Sequence, residues 1–223
     1  MTRLDVFVDA AFAFAITMLV ISIDEVPSTY SELLVALKGA PAFLISFAGI
    51  MGFWIGQKSW SQRFSDEGDP VCLLLVLTLV FLVMVFVYPL KVISAAFFDW
   101  ASGGWLQANF RLQDPIELLG IFQIYGLGFF ALAITQAALY LRSLQRANVL
   151  GLTALDRADA RVGAGTWIVM ALTGAASALW AALFPPAIAI WAGFVYTSLF
   201  ATTFAVSHWL SPSPDEKEAM RRE

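Results

Sequence analysis

The sequence is poor in the side chains from which most catalytic and metal sites are built. It contains one cysteine, Cys72, and one histidine, His208. These counts exclude an intramolecular disulfide, a cysteine-based metal cluster and a multi-histidine zinc or haem site. The sequence also has no phosphate-binding loop, no His-Glu-x-x-His motif and no recognisable pairing of a nucleophile with a base. We therefore predict that the protein is not an enzyme and that it uses no cofactor.

Charged residues are scarce as well. They make up 13% of the 223 residues, whereas hydrophobic residues make up 60%, and soluble chains average about 25% and roughly 45–50% respectively. A soluble fold of this length cannot bury so much apolar surface, so the composition indicates an integral membrane protein. The formal net charge of −4 and the lack of a dense basic patch argue against nucleic acid as a partner.

The long apolar runs predict an all-α protein with six transmembrane helices. A hydrocarbon core about 30 Å thick needs roughly 20 apolar residues per helix, and runs without alternation argue against a β-barrel. The Pro185-Pro186 pair divides the last uncharged run into two helices. The predicted helices lie in a transmembrane domain of residues 1–210 and cover residues 3–23, 35–58, 70–98, 116–143, 162–184 and 186–209. Residues 211–223 are predicted to form a polar cytoplasmic tail.

The basic residues predict how these helices are oriented. With the N-terminus in the cytoplasm, only Lys38, Lys91 and Arg111 of the 13 Lys and Arg residues lie outside. This excess of basic residues on one side follows the positive-inside rule. We therefore predict a multi-pass protein of the plasma (inner) membrane, in contact with the lipid bilayer, with both termini in the cytoplasm.

The first predicted helix differs from the others. Its uncharged stretch runs only from Ala10 to Ile23, so a spanning helix has to include Asp5 and Asp9. A carboxylate within the membrane is costly in lipid and is usually paired inside a bundle or faces water. We therefore expect this helix to lie inside an assembly rather than at its lipid-facing rim.

The same helix carries a bulky apolar stripe. Phe14, Met18 and Ile21 follow an i, i+4, i+7 spacing and share one side. Such a stripe is either ordinary packing core or a set of apolar rings that restricts conduction through a pore by dewetting. Hydropathy alone leaves both interpretations open.

The start of this helix resembles a family signature. The sequence Arg3-x-x-x-Phe7-x-Asp9, followed by an alanine-rich stretch and Thr17, resembles the Arg-x-x-x-Phe-Ser-Asp motif of the endolysosomal potassium channel family (transmembrane protein 175-like). The similarity is to the prokaryotic branch, which has one six-helix repeat per subunit. Looser similarity continues through PAFLISFAGIMGFW in helix two and VFVYPLK in helix three.

The resemblance implies a homotetrameric, potassium-permeable cation channel whose first helices surround a central pore. Conduction would be passive, with potassium ions passing transiently and no metal ion held. The positions that the resemblance assigns to a hydrophobic pore constriction are Phe14, Met18 and Ile21. The positions that it assigns to a motif that holds the helices together are Arg3, Phe7, Asp9 and Thr17.

Three positions depart from the family pattern. Val8 stands where the motif has serine, and Gln57 stands where a histidine follows the tryptophan of helix two. Phe14 occupies a position at which a smaller aliphatic residue is expected, and four phenylalanines around one axis would narrow a pore. A secondary transporter of a small ion or solute and a non-conducting membrane scaffold are the alternatives to a channel.

Overall fold

Long helices account for nearly all of the structure. The computed structural model describes residues 3–21, 27–66, 68–106, 115–189 and 191–211, and these residues form helices and turns without a strand. The helices are α1 (Arg3–Ile21), α2 (Tyr30–Lys38), α3 (Ala40–Phe64), α4 (Pro70–Ala101), α5 (Pro115–Gln145), α6 (Ala154–Leu183), α7 (Pro186–Ala189), α8 (Trp191–Phe194) and α9 (Ser198–Leu210). A 3₁₀ turn, Val195–Thr197, joins α8 to α9.

Four helices of the described part are long and apolar enough to cross a membrane, namely α3, α4, α5 and α6. The predicted all-α membrane fold is therefore confirmed for the described residues. The count of six crossings stays a prediction, because α1 and the broken segment α7–α9 are not among these four helices.

The helix boundaries differ from the predicted ones where local capping groups intervene. The predicted helix 35–58 is divided at Gly39, whose backbone N–H closes the end of α2, and α3 restarts with Pro41 in its first turn, where proline needs no hydrogen-bond acceptor. The predicted helix 162–184 begins earlier, at Ala154, because Thr153 and Asp156 form a capping box. Residues 22–23 of the first predicted helix and residues 212–223 of the predicted tail lie outside the described residues.

An aromatic cluster lies where four helices meet. The ring of Phe53 on α3 lies 6.3 Å from that of Phe86 on α4, 5.5 Å from that of Phe129 on α5 and 5.4 Å from that of Trp167 on α6, between ring centroids. Edge-to-face and stacked arrangements at these separations are favourable for aromatic rings. The cluster fixes α3 against the other three long helices.

Glycines allow α5 and α6 to approach closely. A Cβ atom on Gly126 would lie 2.8 Å from the carbonyl oxygen of Gly174, and one on Gly174 would lie 2.8 Å from the backbone nitrogen of Phe130. Small residues at such contacts are typical of helix pairs in membranes, where backbones pack directly against each other.

Ion pairs join the helices at one end of the bundle. The Asp69 carboxylate caps α4 by accepting a hydrogen bond from the backbone N–H of Cys72. It also accepts two hydrogen bonds from Arg142 on α5, one from Nε at 2.7 Å and one from Nη2 at 2.9 Å. The hydrogen bond from Arg142 is the main reason why the pKa of Asp69 falls to about 2. A second pair joins Asp66 to Arg146 at 2.6 Å. Both pairs tie the α3–α4 connection to the end of α5.

We predict that Asp69→Asn reduces the acid sensitivity of the fold. The pKa of Asp69 in the folded state, about 2, lies below the unfolded value of about 4. Its ion pair therefore stabilises the protein fully above about pH 4, and this contribution is lost as the pH falls towards 2. The Tm of the wild type in detergent should fall more steeply between pH 5 and pH 2 than that of the variant, whose amide still caps α4.

Asp159→Asn is the control for this comparison. Asp159 pairs with Arg63 at 2.8 Å, but the two side chains are 37% and 60% exposed, far more than Asp69 at 3%, and exposed pairs contribute little to stability. This variant should follow the wild-type curve. If the Tm of the wild type and that of Asp69→Asn fell in parallel between pH 5 and pH 2, the prediction would be contradicted.

Candidate functional site

Helix α1 packs against the bundle along one side. Val8, Phe12, Ala15 and Leu19 are at most 4% exposed and recur at a helical spacing that places them on one face. This face contacts α3 and α4. Val8, at the position of the motif serine, thus belongs to the apolar core of the chain.

The opposite side of α1 is exposed in the single chain and is mostly apolar. Phe7 and Phe14 are 50% and 51% exposed, and small alanine side chains lie between them. Thr17 lies on the same side, and its hydroxyl donates to the Ala13 carbonyl oxygen at 2.9 Å, so its hydrogen is used within the helix. Beyond Arg3, all exposed α1 side chains that the structure describes are uncharged.

Both carboxylates of α1 are hydrogen-bonded to α3. Asp9 accepts from the indole Nε1 of Trp54 at 2.8 Å, and Asp5 accepts from the Ser61 hydroxyl. The Trp54 ring also lies beneath the ammonium group of Lys58, 4.6 Å from the ring centroid. Hydrogen bonds of this kind offset the cost of removing a carboxylate from water. They also direct the acidic groups of α1 towards α3 and leave the exposed face apolar.

The three residues predicted to form a constriction do not share one environment in the single chain. Phe14 is exposed, whereas Met18, one turn further on, is partly buried and packs against the core. Ile21 is the last residue of α1, and its side chain lies outside the described part of the structure. The helical spacing places Ile21 on the side of Phe14, so their common role stays a prediction.

The four residues predicted to form a packing motif are also spread over α1. Asp9 accepts a hydrogen bond from Trp54 on α3, whereas the Thr17 hydroxyl donates a hydrogen bond within α1. Arg3 and Phe7 are exposed in the single chain. Their roles stay predictions, because these two side chains have no neighbouring helix packed over them in the described part of the single chain.

The sequence alone did not identify the two α3 residues that donate hydrogen bonds to the carboxylates of α1. Trp54 appeared only as part of a similar stretch, and Ser61 was not singled out. One signal was present: Asp5 and Asp9 each need a hydrogen-bond donor, and Ser61 and Trp54 are donors on the next long helix. The pairing itself depends on how the two helices are aligned, which the sequence does not show directly.

We predict that Trp54→Phe destabilises the protein by about 1–2 kcal/mol, because it removes the indole donor and leaves the Asp9 carboxylate with one hydrogen bond fewer. Denaturant or thermal unfolding in detergent measures this change. Trp209→Phe, at a tryptophan that is 86% exposed, is the matched control. Equal stability of the two variants would show that the Asp9–Trp54 hydrogen bond contributes nothing.

Helix α1 lies within a region whose sequence matches a known protein family. The sequence model of the family described as the endosomal/lysosomal potassium channel TMEM175 matches residues 3–89, which include α1, α2, α3 and most of α4. A relative from Marivirga tractuosa, described as a potassium channel, is 30% identical over 166 residues. The match covers 72% of this chain and 66% of that relative, just under two thirds of its length.

The whole fold also has a solved counterpart. It is similar to the crystal structure of a variant of the potassium channel MtTMEM175 in complex with a nanobody–MBP fusion, with a TM-score of 0.82. The similarity covers 93% of this chain and 92% of the other at 24% sequence identity, a level at which it supports the fold alone. The chain is thus similar to TMEM175 potassium channels in sequence over residues 3–89 and in fold over most of its length.

Proposed function

We propose that the protein is a subunit of a potassium-permeable cation channel in the plasma membrane. The observation that carries this proposal is the family match, which begins at Arg3 and includes all of α1. The family, the relative from Marivirga tractuosa and the solved counterpart are all described as potassium channels. A channel performs no catalysis, in agreement with the lack of a catalytic constellation in the sequence.

The pore of this channel is lined by α1. A helix of 19 residues spans about 28 Å at 1.5 Å per residue, close to the thickness of the hydrocarbon core of about 30 Å. Its charged first turns make it a poor lipid-facing helix, and its apolar face with Phe7 and Phe14 has no cover within the described part of the chain. Four copies of the subunit around one axis would place this face at the centre of a homotetramer.

The constriction of this pore consists of rings contributed by Phe14, Met18 and Ile21. The three positions are about one turn apart along α1, so they would form successive apolar layers. A narrow apolar segment restricts ion flow by excluding water. The sequence has no TVGYG-like loop for a carbonyl-lined filter, so potassium would pass by diffusion down its gradient through a segment that has to widen or hydrate.

Each subunit crosses the membrane six times, through α1, the four long helices and the broken segment α7–α9. The end of the bundle that carries Arg63, Arg142 and Arg146 faces the cytoplasm, in agreement with the positive-inside rule. The α1 N-terminus lies at this same end, because Asp5 contacts Ser61 near the end of α3. Both chain termini are then cytoplasmic.

We expect that replacing Met18 or Ile21 with Ala, Ser or Asn, or Phe14 with Ile, raises potassium flux into proteoliposomes severalfold, because a wider or more polar ring admits water more easily. Val20→Ala is the control. Val20 is exposed but lies about 100° around the helix from Ile21, and its replacement should leave flux unchanged.

Other outcomes distinguish the alternatives. Unchanged flux in every Phe14, Met18 and Ile21 variant would remove the constriction from the proposal. Saturable, pH-coupled uptake would instead indicate a secondary transporter. Folded protein that stays silent in bilayers even after Phe14→Ile would indicate a non-conducting scaffold.

A further inference from the structure

Helices α3 and α5 each carry one buried glutamine, Gln57 and Gln136. Gln57 is 3% exposed and Gln136 is fully buried. Within the described residues, no group hydrogen-bonds to Oε1 of Gln57 or to either amide atom, Oε1 or Nε2, of Gln136. Buried amides without partners are rare, because removing such a group from water is costly unless its hydrogen bonds are replaced.

The contacts on either side of these glutamines define how α3 and α5 are aligned. Towards one end, the rings of Phe53 and Phe129 are 5.5 Å apart. Towards the other end, the Ser143 hydroxyl donates to the Phe64 carbonyl oxygen at 3.1 Å. Residue numbers increase in the same direction along both helices, so α3 and α5 run parallel.

This alignment places the Gln57 and Gln136 positions at the same height along the axes of α3 and α5. On α5, Gln136 lies seven residues from both 129 and 143, a spacing that keeps all three positions on one side of a helix. On α3, Gln57 belongs to the buried face that also includes positions 53, 60 and 64. Gln57 and Gln136 therefore face the same layer of the α3–α5 contact, although they are not hydrogen-bonded to each other.

The neighbouring polar groups already have partners. The indole Nε1 of Trp60, the next buried residue of α3, donates to the Ser143 hydroxyl at 3.0 Å. On α5, the Thr135 hydroxyl donates to the Ala131 carbonyl oxygen at 2.7 Å. The three unpartnered amide atoms thus have to be satisfied by something other than these side chains.

We propose that Gln57 and Gln136 form an internal hydration site within the membrane-embedded part of the subunit. One water accepts from Gln136 Nε2 and donates to Gln57 Oε1, and a neighbouring water donates to Gln136 Oε1. Water fits this set because it both donates and accepts, and a buried water typically makes about three hydrogen bonds. A cation fits poorly, since the amide N–H₂ would repel it and no carboxylate is present on the buried faces that meet here.

This site does not depend on the channel proposal. It involves the face of α3 that packs into the subunit, whereas the pore is assigned to the exposed face of α1. Gln57 is nevertheless only three residues from Trp54, the partner of Asp9. The hydrated layer therefore lies beside the part of α3 that holds α1.

Two measurements on the full-length protein in detergent or nanodiscs test the site. The first is an experimental structure at a resolution that shows bound water. We expect density within hydrogen-bond distance of Gln57 Oε1 and Gln136 Nε2 in the wild type, and its loss in the Gln57→Leu/Gln136→Leu double variant. A direct amide–amide hydrogen bond, or an empty gap between the amides, would overturn the proposal.

The second measurement is a double-mutant cycle by thermal unfolding. Each single Leu variant leaves water and the other amide poorly paired, so the Tm changes of Gln57→Leu and Gln136→Leu should be non-additive by about 2–4 °C. The matched control combines Gln57→Leu with Gln123→Leu. Gln123 is also on α5 but donates to the Ala181 carbonyl oxygen at 3.3 Å, so these two changes should add. Equal additivity in both cycles would overturn the proposal.

Discussion

The structure depends on the hydrogen bonds that the two carboxylates of α1 accept from α3. Asp5 and Asp9 would make α1 unstable in lipid if they lacked hydrogen-bond donors. Ser61 and Trp54 of α3 supply donors on the side of α1 that faces the helix bundle. As a result, α1 joins the bundle with its acidic groups turned inwards and its apolar face turned outwards. That separation gives a short, charged helix an exposed face that is uncharged beyond Arg3.

Because α3 holds α1, the position of α3 determines the position of the candidate pore. Three kinds of contact fix it: the aromatic cluster around Phe53, the Trp60–Ser143 hydrogen bond and the close approach at Gly56, where a Cβ atom would overlap the Trp167 ring. The proposed hydration site at Gln57 belongs to the same face of α3. The same helix thus carries both the contacts to the bundle and the hydrogen-bond donors for α1.

Much of the fold could be predicted from the sequence, whereas the roles assigned to residues of α1 stay predictions. Composition and long apolar runs indicated a membrane protein, and the Arg3-x-x-x-Phe7-x-Asp9 pattern indicated the family, because both signals are local. The division at Gly39 was missed, since a single glycine within an apolar run does not by itself end a helix. The partners of Asp5 and Asp9, and the meeting of Gln57 with Gln136, depend on the alignment of helices that are distant in sequence. Such alignments follow from packing in three dimensions and leave no fixed spacing in the chain.

The central claim is that the exposed face of α1 lines a water-accessible ion path. Potassium flux through a Phe14→Cys variant, measured before and after treatment with a positively charged, water-soluble thiol reagent, tests it most directly. The native Cys72 is only 3% exposed, and Ala15→Cys, on the fully buried face, is the control. We predict that the reagent blocks flux in Phe14→Cys and leaves Ala15→Cys unchanged. A Phe14→Cys variant that conducts equally before and after treatment would contradict a pore lined by α1.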